Sequence, residues 1–421
     1  MEANTHLADA LSEAGSTQTE LAEAVNDYLR SLGREGTVSD RTVRHWLTGK
    51  TRWPHPRQRE ALEAVFGRSA GELGFRPPAS RRSPNRTEDP VHRRNFLTAA
   101  TGTTAAVVPL LAARPYVVGT TDVIRLRSGL DALTALDASR GGHEALERAA
   151  LAGASEALEL QKRAASQRIR QRLFSVAANY TASAAWSAVD ARQSDRAQSH
   201  LNRALYLAGM AKDSVAELRV WNSHAMLALH RGEVSQAVDA GQAAQATAVT
   251  RRDPLFASLA HARTAIGHSG IGDRRGALRS LGQAEDALEK AGADHSRPSW
   301  VAFYGPAELL AITAIVRDKI GDATGAEAAS HRALAIIPEQ FRRNRALATL
   351  QLATAQLHQR DVDQACATTK KVFALMHANS LPGRMRSYLG DFYRKLITLA
   401  PDSGTAREWE DRYRSEWSQA R

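Results

Sequence analysis

The chain has 421 residues and a formal charge of +11, with 43% hydrophobic residues, only 6% aromatic ones and a single cysteine, Cys366. That length allows two or three domains with their own cores, and the Ala- and Leu-rich, β-poor composition predicts an all-α protein. One cysteine excludes an intramolecular disulfide, fits a reducing cytoplasm and makes Cys366 a small core residue, while the positive charge favours an acidic partner, nucleic acid ahead of an anionic membrane.

No charged and apolar leader of the ordinary secretory kind opens the chain. The first elements are short helices. Leu7 and Leu11 fit one. STQTELAEAVNDYLRSLG fits a second, with Ser16 or Thr17 as cap, Glu20 early, and Leu21, Val25, Tyr28, Leu29 and Leu32 along one face.

Thr37 to Pro54, TVSDRTVRHWLTGKTRWP, is a third helix running into a basic loop. Ser39 caps it, Val43, Trp46 and Leu47 recur at i, i+3, i+4, and Gly49 stops it. Asp40, Arg41, Arg44 and His45 then fall on the opposite side. From Arg41 to Arg59 there are six Lys or Arg and no acid. A helix that is cationic outward on a small apolar edge has the build of a DNA major-groove reader, against the plainer reading of a solvated basic surface helix. RQREALEAVFG adds a fourth helix with Leu62, Val65 and Phe66, followed by Leu73 and Phe75.

The order Gln18, Leu21-Ala22, Val25, Ser39, Thr42-Val43, Trp46, Gly49, Pro54 and Leu62 resembles the helix-turn-helix domain of the repressor/Cro type, the XRE family. More narrowly, it is similar to actinobacterial regulators that join this domain to tetratricopeptide repeats. The resemblance implies a homodimer on double-stranded DNA, with the second helix of the motif in the major groove. It also implies that Asp40, Arg41, Arg44 and His45 face base edges, and that Gln18, Thr48, Lys50 and Arg52 contact phosphates. Chemistry agrees: Arg41 or Arg44 can donate twice to guanine and Asp40 can accept from cytosine, whereas Lys50, Arg52 and Arg57, in a loop, suit the backbone. The spacer Gly33 to Val38 is longer than the standard turn of three or four residues, which leaves the docking angle open.

The expected domains are a helix-turn-helix over 1–76, a basic linker and uncharged segment over 77–121, a helical repeat domain over 122–400 and a capping helix over 401–421. The linker RPPASRRSPNRTEDPVHRR carries Arg76, Arg81, Arg82 and Arg86 as further phosphate contacts or simply as a soluble tether. Asn95 to Ala113 is uncharged over 19 residues, and Arg93-Arg94-Asn95-Phe96-Leu97 resembles a twin-arginine export signal. Its threonines, Gly102 and Pro109 favour docking against protein over a membrane anchor or export.

Beyond Asp122 a polar turn followed by a helix recurs around Ala197, Ala237, Ala277, Ala326 and Ala365, at intervals of 40, 40, 49 and 39 residues. Each turn follows another amphipathic helix, so small Ala lets two helices approach and stacked pairs share one core. This resembles tetratricopeptide repeats, against a plain helical bundle. The 49-residue interval contains DHSRPSWVAFYGP, which would line a binding surface or cover a repeat joint. Asn179, Tyr180, Trp186, Asn222, His224, His261, Arg263, Trp300, Tyr304, Gln351 and Gln356 fall on or beside the first helices of pairs, which by resemblance face the concave side. There they would meet a peptide, small-molecule or protein effector, or serve as packing. After Pro401, Trp409, Tyr413 and Trp417 share one face for capping or dimerisation.

No phosphate loop, GxGxxG, HExxH, CxxC or GxSxG is present, and the 14 His share no metal-ligand spacing, so no enzyme, cofactor or metal is expected. The expectation is a cytoplasmic, nucleoid-associated, sequence-specific regulator. The rival is a repeat scaffold, membrane-associated in one version, whose basic domain binds nucleic acid without selectivity.

Overall fold

The computed structural model describes residues 3–14, 17–31, 34–77, 118–140, 144–164, 166–292, 297–339, 341–376, 383–401 and 403–418. The linker, the twin-arginine-like motif and the segment Asn95 to Ala113 lie outside the described residues, as do Leu32 and the side chain of Trp417. The described residues are all-α without a strand, and none of their helices is long and apolar enough to cross a membrane. The chain divides into two compact units, with the break after Val118.

The first unit contains α1 (Thr5–Glu13), α2 (Gln18–Ser31), α3 (Asp40–Leu47) and α4 (Pro56–Phe66). Thr17 caps α2, and the alternative cap Ser16 lies outside the described residues. The Thr17 amide donates to Glu20 Oε2 at 2.7 Å and its hydroxyl accepts from the Glu20 amide at 3.3 Å, a reciprocal box that satisfies otherwise orphaned groups. Ser39 and Thr42 form the same box at α3. Beyond α3, Gly49 takes φ 68° and Gly67 closes α4 at φ 65°, left-handed conformations that glycine adopts without a Cβ penalty. The apolar edges meet in one core, where Leu7, Leu21, Val43, Trp46, Leu62 and Leu73 are fully buried. Phe75 meets Trp46 edge-on at 6.5 Å.

The second unit is a solenoid-like stack of consecutive helix pairs. Two leading helices, α5 (Thr120–Arg140) and α6 (Glu144–Arg163), precede six pairs. These are α7 (Gln167–Asp190) with α8 (Ser194–Ala211), α9 (Ser214–Arg231) with α10 (Val234–Ala246), and α11 (Pro254–Gly270) with α12 (Arg274–Glu289). Then follow α13 (Pro306–Lys319) with α14 (Ala323–Ile336), α15 (Arg342–His358) with α16 (Val362–Met376), and α17 (Gly383–Leu399) with α18 (Gly404–Ser418).

The five anchor alanines, Ala197, Ala237, Ala277, Ala326 and Ala365, all sit on second helices and are fully buried, where a larger side chain would wedge the pair apart. Within each of these five pairs the turn contains one left-handed residue: Arg192, Gly232, Gly272, Gly321 and Arg360, with φ between 63° and 83°. The chain thus reverses the same way each time, and equivalent backbone geometry is what lets pairs stack.

Beyond the expected boundary at 400, α18 packs on α16 and α17. Trp409 of α18 is fully buried among Phe373, Phe392 and Tyr393 in the core that α15, α16 and α17 share, so α18 is the second helix of the sixth pair. The insertion around Trp300 forms a 3-10 turn, Ser299–Val301, and buries Trp300, Val301 and Tyr304 in the core formed with α11 and α13. It covers a repeat joint, and of its aromatics only Phe303 is exposed.

Candidate nucleic-acid interface and the interior of the repeats

In the first unit α3 turns Val43 and Trp46 into the core, which leaves Asp40, Arg41 and Arg44 exposed and His45 half-buried on its other side. Lys50, Arg52 and Arg57 are exposed beyond its end. Gln18 is half-buried at the start of α2 and Thr48 exposed at the end of α3, its hydroxyl donating to the Arg44 carbonyl at 2.8 Å.

Among the described residues Arg41, Arg44, Lys50, Arg52 and Arg57 form no ion pair within the chain, although acids are near enough to engage other cations. Arg34 pairs with Glu60 at 2.7 Å, and Arg59 lies 4.2 Å over the Trp53 ring. Asp40 is the exception in the expected set, since its Oδ2 accepts from the Thr19 hydroxyl at 2.7 Å and so ties α3 to α2.

The long spacer is ordered by a residue that periodicity did not single out. Asn26 Nδ2 donates to the Val38 carbonyl at 2.7 Å while Asn26 Oδ1 accepts from the Val38 amide at 2.8 Å. This two-bond clamp mimics a strand pairing. It requires a bare backbone beside it, because a Cβ on Gly36 would lie 2.7 Å from the Asn26 Cβ. The longer turn is therefore a pinned one, and α3 has a fixed start.

In the second unit the first helices of the pairs turn polar residues inward, but the candidates meet different fates there. Tyr180 is buried and donates to the Leu126 carbonyl at 2.7 Å, while the hydroxyls of Tyr304 and Ser258 lie 2.7 Å apart. Neither phenol presents an open face to a ligand. Burial raises both, Tyr180 to about 12. Trp300 is in the joint core, with Arg219 5.5 Å from its ring.

Asn179 accepts from Arg219 at 3.0 Å and Asn222 accepts from Arg263 at 2.7 Å, so both asparagines hold arginines rather than point into open space. Gln356 is buried and donates to Glu327 at 3.0 Å. His224 lies 5.3 Å from the Trp221 ring, and Trp186 lies under Arg384 at 5.2 Å. His261 and Gln351 are half-buried, each with a buried nitrogen that finds no hydrogen-bond partner among the described residues.

Arg263 apart, the sequence reading missed the charge gathered inside the repeats. Arg343 of α15 and Arg384 of α17 meet Asp190 of α7, Arg263 of α11 faces Glu308 of α13, and Arg219 of α9 is held by Asn179 and Ser183. Asp190 lies 3.3 Å from Arg343 and 3.2 Å from Arg384, and Glu308 lies 3.9 Å from Arg263. Burial lowers Arg219 to about 10 against the pull of Asp137 and Asp131. Burial works the same way on Arg384, but Asp190, Tyr388, Glu308 and Asp137 outweigh it and hold that guanidinium above its ordinary value. The only available signal was the placing of Arg among Ala and Leu on first helices, where solvent-facing positions are few.

Residues 7–73 match the model of a family described as the SP15 N-terminal domain. That description is not one of the repressor/Cro helix-turn-helix families, and the match covers α1 to α4 and the turn beyond them but none of the repeats. No characterised protein matches the chain.

Proposed function

We propose that the chain is a sequence-specific DNA-binding transcriptional regulator of the repressor/Cro type. Its first unit reads DNA as part of a homodimer, and its tetratricopeptide-like repeats receive an effector or dimerise. The observation that carries this reading is the set of exposed cations, Arg41, Arg44, Lys50, Arg52 and Arg57, left without internal acids on and after a helix pinned by its apolar edge.

Arg41 and Arg44 read base edges from the helix, where geometry is fixed, with Asp40 and His45 beside them. Lys50, Arg52 and Arg57, together with Gln18 and Thr48, contact phosphates, where charge suffices. An effector in the repeats changes DNA affinity by altering the distance between the two readers of the dimer, because half-site spacing must match it. The protein acts in the cytoplasm on the nucleoid and carries out no chemistry of its own.

The test is selection of genomic fragments by the full-length protein, followed by footprinting and a salt titration. Two-fold symmetric protected half-sites bound at least about a thousandfold tighter than random DNA support a regulator. Arg41→Ala or Arg44→Ala should cost about 1–3 kcal/mol and relax specificity at one base pair, whereas Lys50→Ala should weaken all sequences alike and lower the salt slope by about one. Equal binding to every fragment favours the second reading, a repeat scaffold with an unselective basic unit.

A further inference from the structure

Helix α5 belongs to no pair, yet it packs against α6, α7 and the 3-10 turn. Its Leu126 carbonyl receives the Tyr180 hydroxyl, its Asp131 accepts from Ser299 Oγ at 2.5 Å, and its Asp137 lies 3.9 Å from Arg343 of α15. A single helix therefore touches elements from the first pair to the fifth and presents two carboxylates six residues apart.

The end of that track is chemically incomplete. Asp137 Oδ2 is too far from Arg343 for a hydrogen bond, Asp137 Oδ1 is buried with no partner among the described residues, and so is Arg343 Nε. A guanidinium and a carboxylate that meet squarely form two parallel bonds at about 2.7–2.9 Å. Here Arg343 Nη1 is taken by Asp190 at 3.3 Å, but the Nε–Nη2 edge that faces Asp137 makes no such pair of bonds. Burial raises the Asp137 carboxyl despite Arg343, so the charged form is poorly served where it sits. The paired helices bring four arginines to this interior, Arg219, Arg263, Arg343 and Arg384, with the acids Asp190 and Glu308, and α5 adds Asp131 and Asp137 from outside the pairs.

We infer that the arginine cluster around Arg343 is a binding site for the side-chain carboxylate of a peptide, and that Asp137 of α5 is a loosely fitting stand-in from the same chain. The peptide carboxylate takes the place of Asp137 and completes the two bonds that Arg343 lacks. This rests on the reading of the repeats as an effector domain and names the chemistry of the effector.

The probe is the capped hexapeptide acetyl-Thr-Ala-Leu-Asp-Ala-Ser-amide, which copies Thr134 to Ser139. It is titrated by calorimetry into the full-length protein and into Asp137→Ala, without DNA. Removing the stand-in should tighten binding at least tenfold, and the same peptide with Asn for Asp should bind Asp137→Ala at least tenfold more weakly. The variant carrying both Asp137→Ala and Arg343→Gln should lose the Asp-over-Asn preference. Should that variant fail to fold, the Asp and Asn peptides on Asp137→Ala still decide.

Equal binding of the two peptides, or no gain on removing Asp137, overturns the proposal. Acetate binding as tightly as the peptide makes this a small-anion site and overturns the peptide assignment, and preference for an Asn peptide with a free C-terminal carboxylate overturns the side-chain assignment. Because DNA is absent, failure here sinks the site alone, and failure to select genomic sites sinks the regulator reading alone.

Discussion

Tyr180 of α7 fills a notch that exists only because residue 153 of α6 is glycine: a Cβ on Gly153 would lie 2.5 Å from the tyrosine Cε1. Gly129 of α5 leaves a second gap, where a Cβ would come within 2.7 Å of the phenol oxygen. One buried ring thereby locks three helices at the entrance of the stack, its hydroxyl bound to Leu126.

Gly153→Ala should destabilise the repeat unit by about 2 kcal/mol through this overlap, and Tyr180→Ala by about 3 kcal/mol through the cavity. The double variant should cost clearly less than the sum, because the methyl then enters the space that the ring has left. Denaturant unfolding of the four proteins gives the coupling energy, and simple additivity would mean that the notch is not where the strain lies.

Asn26→Ala removes both bonds that hold Val38. The loss should be about 2 kcal/mol in a unit of some seventy residues, seen as a lower first transition on heating. Amide exchange should accelerate at residues 36–39 while the α4 core stays protected. An unchanged exchange pattern would show that the turn holds itself.

The repeat unit should weaken in mild acid. Burial, with help from Arg384 and Arg192, lowers His230 to about 3, and burial lowers His224 to about 4. Each folded value lies below the unfolded one, near 6.5, so both rings are held neutral. Their stability is complete above that value and drains away as pH falls toward 4 and 3. For His230 the loss should reach roughly 2–3 kcal/mol by pH 4. His230 Nε2 lies 3.1 Å from the Tyr388 hydroxyl, and His230→Gln, which keeps a polar group but no titrating ring, should flatten the curve of melting temperature against pH between 6.5 and 4.

Cys366 should be inert in the native protein. It is fully buried, and burial lifts its thiol to about 11, so little thiolate forms near neutrality. Iodoacetamide at pH 8 should label it at least about a hundredfold more slowly in the native protein than in urea. Rapid native labelling would reveal local opening of α16.

Much of this protein was legible as text because the forces concerned are local. A cap such as Ser39 acts on an amide three residues away, Val43 and Trp46 share a face because a helix turns every 3.6 residues, and a buried alanine marks each second helix wherever two helices must come close. Those rules predicted an all-α chain, four or five short helices within the first 76 residues, and a repeat near 40 residues, and the described residues have that form. They also placed Arg41 and Arg44 outward, since the opposite face of α3 had to be buried.

The interior of the repeats was decided only by tertiary structure. Arg343 and Asp190 are 153 residues apart in the chain, and Tyr388 reaches His230 across 158. No periodicity encodes which inward residue finds which partner once pairs stack and curve. Tyr180 and Tyr304 thus became packing residues, Asn179 and Asn222 became supports for arginines, and a helix with an almost featureless sequence, α5, came to pack on α6, α7 and the 3-10 turn with Asp137 beside Arg343. The sequence by itself determined the helices and their pairing. Long-range packing, which removes charges from water and obliges them to find one another, determined where those charges gather.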